Sequence, residues 1–98
     1  MVLSVIIPLL KTDAEFYRCY YSLISVIDLT KCEIIVITPR DNIHSLKNNF
    51  GDELNIIVEK EKGIYEAMNQ GIKHAKGKYL LFLGKDDLVL PGLKYVLE

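Results

Sequence analysis

Two adjacent aspartates, Asp86 and Asp87, are the residues of this sequence best suited to chemistry. They follow a continuous apolar run at residues 79–83, whose lack of alternation predicts a strand covered on both faces. Ligands of open α/β sheets bind beyond the carboxyl ends of the strands, so carboxylates at this point are placed to hold a metal ion or a sugar hydroxyl. Taken alone, the pair would more simply form a turn and cap the next element.

A helix predicted just before this strand supplies further candidates. Its apolar residues recur at helical spacing and predict a stripe that faces a core. The stripe consists of Ile64, Ala67, Met68, Gly71, Ile72 and Ala75. Tyr65 and Asn69 lie one turn apart on a common face. Gly63 predicts a tight turn at the start of this helix, and Gly71 predicts close packing of the helix on the sheet. Gly77 is expected to end the helix in the left-handed conformation.

The rest of the chain alternates strands with helices. Apolar, β-branched runs predict further strands at residues 3–8, 33–37 and 54–58. The capping-box spacing of Thr12 and Glu15 predicts a helix that continues to about Leu29. Asp41 is the expected N-cap of a short helix that Gly51 closes. This alternation predicts right-handed crossovers and a parallel sheet, in an α/β half-domain of Rossmann-like architecture.

Composition narrows the class of protein. The 98 residues are half hydrophobic and carry a net charge of -1, which suits one small domain and gives no electrostatic reason to expect nucleic acid as a partner. Cys19 and Cys32 lack ligand spacing, so we expect two reduced, buried thiols and a cytoplasmic location. The apolar segment at residues 2–10 is too short to span a bilayer. No nucleophile elbow, dinucleotide fingerprint or P-loop sequence is present.

The sequence EKEKGIYEAMNQGI at residues 59–72, followed by FLGKDD at residues 82–87, resembles the donor-binding half of family 2 glycosyltransferases. In that family a G-I-Y-D-A-M-N-x-G-I helix leads into a strand that ends in a metal-binding acidic pair. The resemblance implies a Rossmann-like half of a GT-A fold, with strand order 3-2-1-4. Because family members are substantially longer, it also implies that residues 1–98 are a single truncated nucleotide-sugar-binding domain.

The resemblance also implies roles for individual residues. Asp87 would contact a Mn²⁺ or Mg²⁺ ion, and Asp86 would hold the ribose or complete the metal shell. Pro8, at the end of the first strand, would line the donor cleft. Tyr65 and Asn69 would approach the nucleotide-sugar, although an aromatic residue and an asparagine at these helix positions also suit a structural role. The general base is expected beyond Glu98.

The chain departs from the family where the nucleoside base is recognised. Members usually carry an acid after the second strand, whereas this chain has Thr38, Pro39, Arg40 and Asp41 there. Thr38 or, from a shifted loop, Asp41 would have to substitute. Recognition of the base therefore stays open at the level of the sequence.

The implied function is transfer of a sugar from a nucleotide-sugar, with a UDP-sugar expected, to a glycan or lipid-linked acceptor hydroxyl. The setting would be polysaccharide, lipopolysaccharide or capsule assembly, in the cytoplasm or peripheral to the inner face of the membrane. We expect an inverting, metal-dependent reaction and little turnover by the isolated chain. The alternative is a non-catalytic nucleotide-binding or protein-interaction module. Homodimerisation through surfaces exposed by truncation is also expected.

Overall fold

Four parallel strands form the sheet of this protein, whose residues 1–84 are described by a computed structural model. The strands are β1 (Leu3–Pro8), β2 (Cys32–Thr38), β3 (Asn55–Val58) and β4 (Tyr79–Phe82). Their order is β3-β2-β1-β4, and all three pairings are parallel. The predicted α/β architecture and the strand order 3-2-1-4 are confirmed. Asp86 and Asp87 lie outside the described residues.

Helices cover the sheet on both faces. They are α1 (Ala14–Ile24), α2 (Ile43–Phe50) and α3 (Ile64–His74), and short 3-10 turns flank α2 at Arg40–Asn42 and Gly51–Glu53. Side chains alternate across β1 and β2, so Val5 and Ile7 join the larger core beneath α1 and α2. Ile6 and Ile35 point the other way and pack with Ala67 of α3. The central strands are therefore buried on both faces.

The first helix begins one residue later and ends earlier than the sequence predicts. Asp13, not Thr12, is its N-cap, because the Asp13 carboxylate accepts a hydrogen bond from the Phe16 amide at 3.2 Å. The helix ends at Ile24 rather than near Leu29. Its C-cap is Ser25, whose hydroxyl donates to the Ser22 carbonyl at 2.6 Å and so competes with continued helix.

The turn into β2 is closed by a local hydrogen-bonding pair. The Asp28 carboxylate accepts from the Thr30 hydroxyl at 2.6 Å and from the Thr30 amide at 2.9 Å. These two bonds from Thr30 hold the pKa of Asp28 below its ordinary value. Because this turn redirects the chain, residues 28–30 do not continue the helix.

The second helix starts without the predicted cap. Asp41 lies inside the 3-10 turn, and α2 begins after Asn42, which forms no capping hydrogen bond. The prediction of Asp41 as N-cap is wrong because the turn Arg40–Asn42 precedes the helix. Gly51 does end α2, with a φ of 58° that favours glycine.

The buried face of α3 is narrower than its apolar stripe suggests. Ala67 and Gly71 are buried, whereas Ile64 is 59% exposed and Ile72 is 44% exposed. A Cβ on Gly71 would lie 2.5 Å from Ile6 Cγ2, so the predicted close packing is confirmed. The helix approaches the sheet along this small-residue line, and the two isoleucines consequently lie to either side of the contact.

Gly77 serves a different purpose from the predicted left-handed helix end. Among the described residues only Gly51 and Gly63 have positive φ, and α3 ends at Ala75 in extended backbone. A Cβ on Gly77 would overlap the backbone nitrogen of Ser4. Glycine is therefore required for close approach of the α3–β4 connection to β1.

The fourth strand is more exposed than predicted. Tyr79 is 56% exposed, and Leu80 and Phe82 are exposed as well, whereas Leu81 packs against the larger core. Within residues 1–84, β4 pairs only with β1 and forms an edge of the sheet. The prediction of a strand covered on both faces is therefore wrong for the described part of the molecule.

Two other expectations concern location and cysteine chemistry. Cys19 and Cys32 are buried thiols, as predicted. No helix within residues 1–84 is long and apolar enough to cross a bilayer.

Candidate functional site

A cleft of about 280 Å³ opens where the strands end at their carboxyl side. Its lining comes from the ends of all four strands and from the start of α3. Within residues 1–84 the lining residues are Pro8, Leu9, Leu10, Ile37, Glu59, Gly63, Ile64, Ala67 and Gly84. Ligands bind at this edge of open α/β sheets. In the order β3-β2-β1-β4, strands are added on one side of β1 up to β3 and then on the other side with β4, which makes the position between β1 and β4 a topological switch point. The cleft is therefore the candidate functional site.

The segment after β1 is fixed to the end of β2. The Leu9 amide donates to the Ile37 carbonyl at 2.9 Å, which extends the sheet pairing beyond Pro8. The Asn42 side-chain amide donates to the Leu10 carbonyl at 2.7 Å and to the Thr38 hydroxyl at 2.9 Å. One asparagine thus holds the wall of the cleft in place, a role that the sequence does not reveal because its partner Leu10 lies far away along the chain.

The segment after β3 is held by Gln70 of α3, which is 8% exposed. Its side-chain nitrogen donates to the Val58 carbonyl at 2.7 Å, and its side-chain oxygen accepts from the Lys60 amide at 3.1 Å. Between these two residues, the Glu59 amide donates to the Thr38 carbonyl at 2.9 Å. The backbone around Glu59 is therefore fixed on both sides. Sequence reasoning missed Gln70, although its spacing from Ala67 places it on the buried face.

The start of α3 faces the cleft. Gly63 has a φ of 122°, so the predicted tight start of this helix is confirmed. A Cβ on Gly63 would overlap the carboxylate of Glu66, which lies over this turn. The first amides of a helix and its dipole favour negative charge, so a ligand phosphate in the cleft would meet a favourable field from α3.

The predicted site residues are not all brought together. Pro8 lines the cleft, but Thr38 is fully buried and its hydroxyl accepts from Asn42. Tyr65 is 76% exposed and does not line the cleft. Asn69 borders a separate depression of about 250 Å³ beside Lys60 and Lys73. These ligand roles stay predictions.

The predicted metal ligands follow the described residues. Gly84, the last of these, lines the cleft, and Asp86 and Asp87 come two and three positions later in the sequence. No group of three or more histidine, cysteine, aspartate or glutamate side chains within residues 1–84 is arranged to hold a metal ion. The metal site therefore stays a prediction for Asp86 and Asp87.

The sequence of this chain is similar to those of known glycosyltransferases. The sequence profile described as Glycosyl transferase family 2 matches residues 4–97. A relative from Escherichia coli (strain K12), named uncharacterized glycosyltransferase YibD, is 35% identical over 96 residues. That match covers 93% of this chain and 28% of YibD.

Solved structures share the fold. S. aureus TarS 1-349 in complex with UDP-GlcNAc superposes with a TM-score of 0.79 at 24% identity, over 98% of this chain and 30% of that one. The same TarS fragment in complex with UDP gives a TM-score of 0.76 at 23% identity, over 98% and 31%. The present chain thus spans less than a third of the proteins it matches.

Proposed function

Because the chain belongs to glycosyl transferase family 2, we propose that it forms the donor-binding half of a glycosyltransferase that uses a nucleotide-sugar. The observation that carries this proposal is the cleft at the carboxyl ends of the strands, whose lining includes Gly84, two positions before the acidic pair in the sequence. The nucleoside would lie against the apolar wall that includes Pro8 and Leu9. A UDP-sugar is the proposed donor, since the TarS structures of the same fold contain UDP-GlcNAc and UDP.

The proposed reaction is transfer with inversion. An acceptor hydroxyl loses its proton to a base and attacks the anomeric carbon, while the bond from that carbon to the diphosphate breaks and the nucleoside diphosphate leaves. We assign the base and the acceptor site to chain beyond Glu98. The proposed acceptor is a glycan or lipid-linked sugar in polysaccharide, lipopolysaccharide or capsule assembly, and the 98-residue chain by itself is expected to transfer little or no sugar.

Divalent metal is part of the proposal. The Asp86 and Asp87 side chains would hold it, because carboxylate oxygens are the hard ligands that Mg²⁺ and Mn²⁺ prefer. A bound ion offsets negative charge on a diphosphate leaving group. Near the start of α3, the helix dipole would act on the same phosphates.

The test is isothermal titration of UDP into the purified chain, with and without Mn²⁺, for the wild type and Asp87→Asn. We expect binding that requires Mn²⁺ and is lost in the variant. Asp52→Asn is the matched control, because Asp52 is exposed and borders a depression apart from the cleft. Metal-independent binding, or binding that survives Asp87→Asn, would contradict the metal assignment.

The second candidate is a non-catalytic nucleotide-binding or protein-interaction module. It is favoured by the absence of the family's usual acid directly after β2 and by the burial of Thr38, whose hydroxyl already accepts a hydrogen bond from Asn42. Absence of UDP binding under either condition would support it. The homodimer stays a prediction, and the exposed β4 side chains Tyr79, Leu80 and Phe82 are where its contact would be sought.

A further inference from the structure

Glu59 directly follows β3, the strand next to β2. It lies beside the position after β2 where family members usually carry an acid. Thr38 pairs with Val58 in the parallel register of β2 and β3, so Glu59 lies beside Pro39. Neighbouring strands are about 4.8 Å apart. Glu59 is therefore one strand spacing away from the expected acid, and it is the one charged residue among the cleft-lining residues of the described chain.

The backbone of Glu59 is held in place before any ligand arrives. Its amide donates to the Thr38 carbonyl, and Gln70 binds the carbonyl before it and the amide after it. A residue whose backbone is already fixed loses less backbone freedom when its side chain binds a ligand.

The carboxylate of Glu59 has acceptor capacity to spare. Within residues 1–84 its side chain makes no hydrogen bond and no ion pair, although the residue is only partly exposed. Ile37, Ile64 and Ala67, which line the same cleft, are apolar. A carboxylate in such surroundings is stabilised by a donor that enters the cleft. Asp41, the alternative from the sequence, is exposed and does not line the cleft.

We propose that Glu59 determines base specificity by accepting a hydrogen bond from the N3–H of uracil. The inference rests on the proposed function, because it names the residue that reads the donor nucleotide. Uracil presents a ring N–H donor at this edge, whereas the ring nitrogens of cytosine and adenine at the same position accept, so that only their exocyclic amino groups could donate to the carboxylate. In this proposal the base is recognised by a residue that follows β3, not by one that follows β2.

The experiment compares UDP with N3-methyluridine diphosphate, which lacks the proton that Glu59 would accept. Affinities are measured for the wild-type chain by titration of ¹⁵N-labelled protein in NMR, with Mn²⁺ replaced by Mg²⁺ to avoid paramagnetic broadening. We expect UDP to bind about tenfold more tightly than the methylated analogue, the effect of one hydrogen bond to a charged group. In Glu59→Ala the two nucleotides should bind equally. Glu61→Ala, an exposed glutamate outside the cleft lining, should keep the wild-type ratio.

Each outcome has a defined meaning. If UDP shifts the cleft amides but Glu59→Ala keeps the wild-type ratio, the assignment of Glu59 is overturned while donor binding stands. If UDP shifts no cleft amide of the wild type, both the inference and the proposed function fail. Tighter binding of GDP than of UDP would overturn the choice of uracil. The ¹⁵N spectrum of each variant shows whether it is folded. Equal affinity of the wild-type chain for UDP and N3-methyluridine diphosphate would refute the proposal without any variant.

Discussion

Replacing Gln70 by methionine should destabilise the domain by about 2 kcal/mol, because both of its backbone hydrogen bonds are lost while its volume is kept. Gln70 is buried in α3 and joins the helix to the segment that follows β3. Methionine has a similar length and a high helix propensity, so neither a cavity nor a change in helix preference contributes much.

The two lost bonds contribute unequally. Val58 is partly buried, so leaving its carbonyl without the donor at 2.7 Å costs about 1–2 kcal/mol. Lys60 is exposed, and water replaces the acceptor of its amide at a cost of about 0.5 kcal/mol. The sum is near 2 kcal/mol, and it should lower the urea midpoint by about 1 M if the slope is about 2 kcal/mol/M.

Equilibrium unfolding in urea measures this change, and Lys73→Met is the matched control. Lys73 lies on the same helix and is exposed, so the same new side chain there should change stability by less than about 0.5 kcal/mol. Amide hydrogen exchange adds a local measurement, since the Lys60 amide should exchange faster in Gln70→Met. A stability within 0.5 kcal/mol of the wild type, with unchanged exchange at Lys60, would refute the reasoning.

Two further substitutions test the close contacts around β1. Gly71→Val should lower stability by about 2 kcal/mol or more, because its Cβ would press on Ile6; thermal unfolding measures this, and an unchanged midpoint would mean that α3 can move away from the sheet. Ser4→Ala should cost about 1–3 kcal/mol, since the buried hydroxyl donates to Glu33 at 2.6 Å and accepts from the Gly77 amide at 2.7 Å. Slow hydrogen exchange of the Gly77 amide in this variant would contradict that account.

The overall fold could be predicted because its signals are repeated along the chain. Apolar runs in β1 and β2 and the periodicity of α3 locate the elements, and the parallel sheet follows from their alternation. The strand order required the family resemblance, since alternation alone is compatible with several orders. The errors concern the ends of helices, because a single side chain can determine where a helix ends. The sequence remains apolar beyond Ser25, yet α1 ends there, where the Ser25 hydroxyl donates to the Ser22 carbonyl.

The structure of the cleft was harder to predict because it depends on contacts between distant residues. The sequence around Asn42 indicates only the start of a helix, yet its side-chain amide donates hydrogen bonds to the Leu10 carbonyl and the Thr38 hydroxyl. Gln70 reads as a polar residue in an amphipathic helix, yet it binds the backbone on both sides of Glu59. Neither partner is visible in the spacing of residues, because tertiary packing alone brings them within hydrogen-bonding distance.

These contacts bear on the proposed donor cleft, because they show how the end of β2 is used where the family's usual acid is missing. The side chain of Thr38 is committed to Asn42, and through it to Leu10, so the end of β2 builds the wall of the cleft. The backbone of Thr38 simultaneously accepts from Glu59, which brings a carboxylate to the same level from β3. In the arrangement that we propose, the end of β2 supports the cleft wall and Glu59, after β3, recognises the base. In this arrangement, substitution at Glu59 should alter nucleotide choice while leaving the Asn42 contacts, and hence the cleft wall, intact.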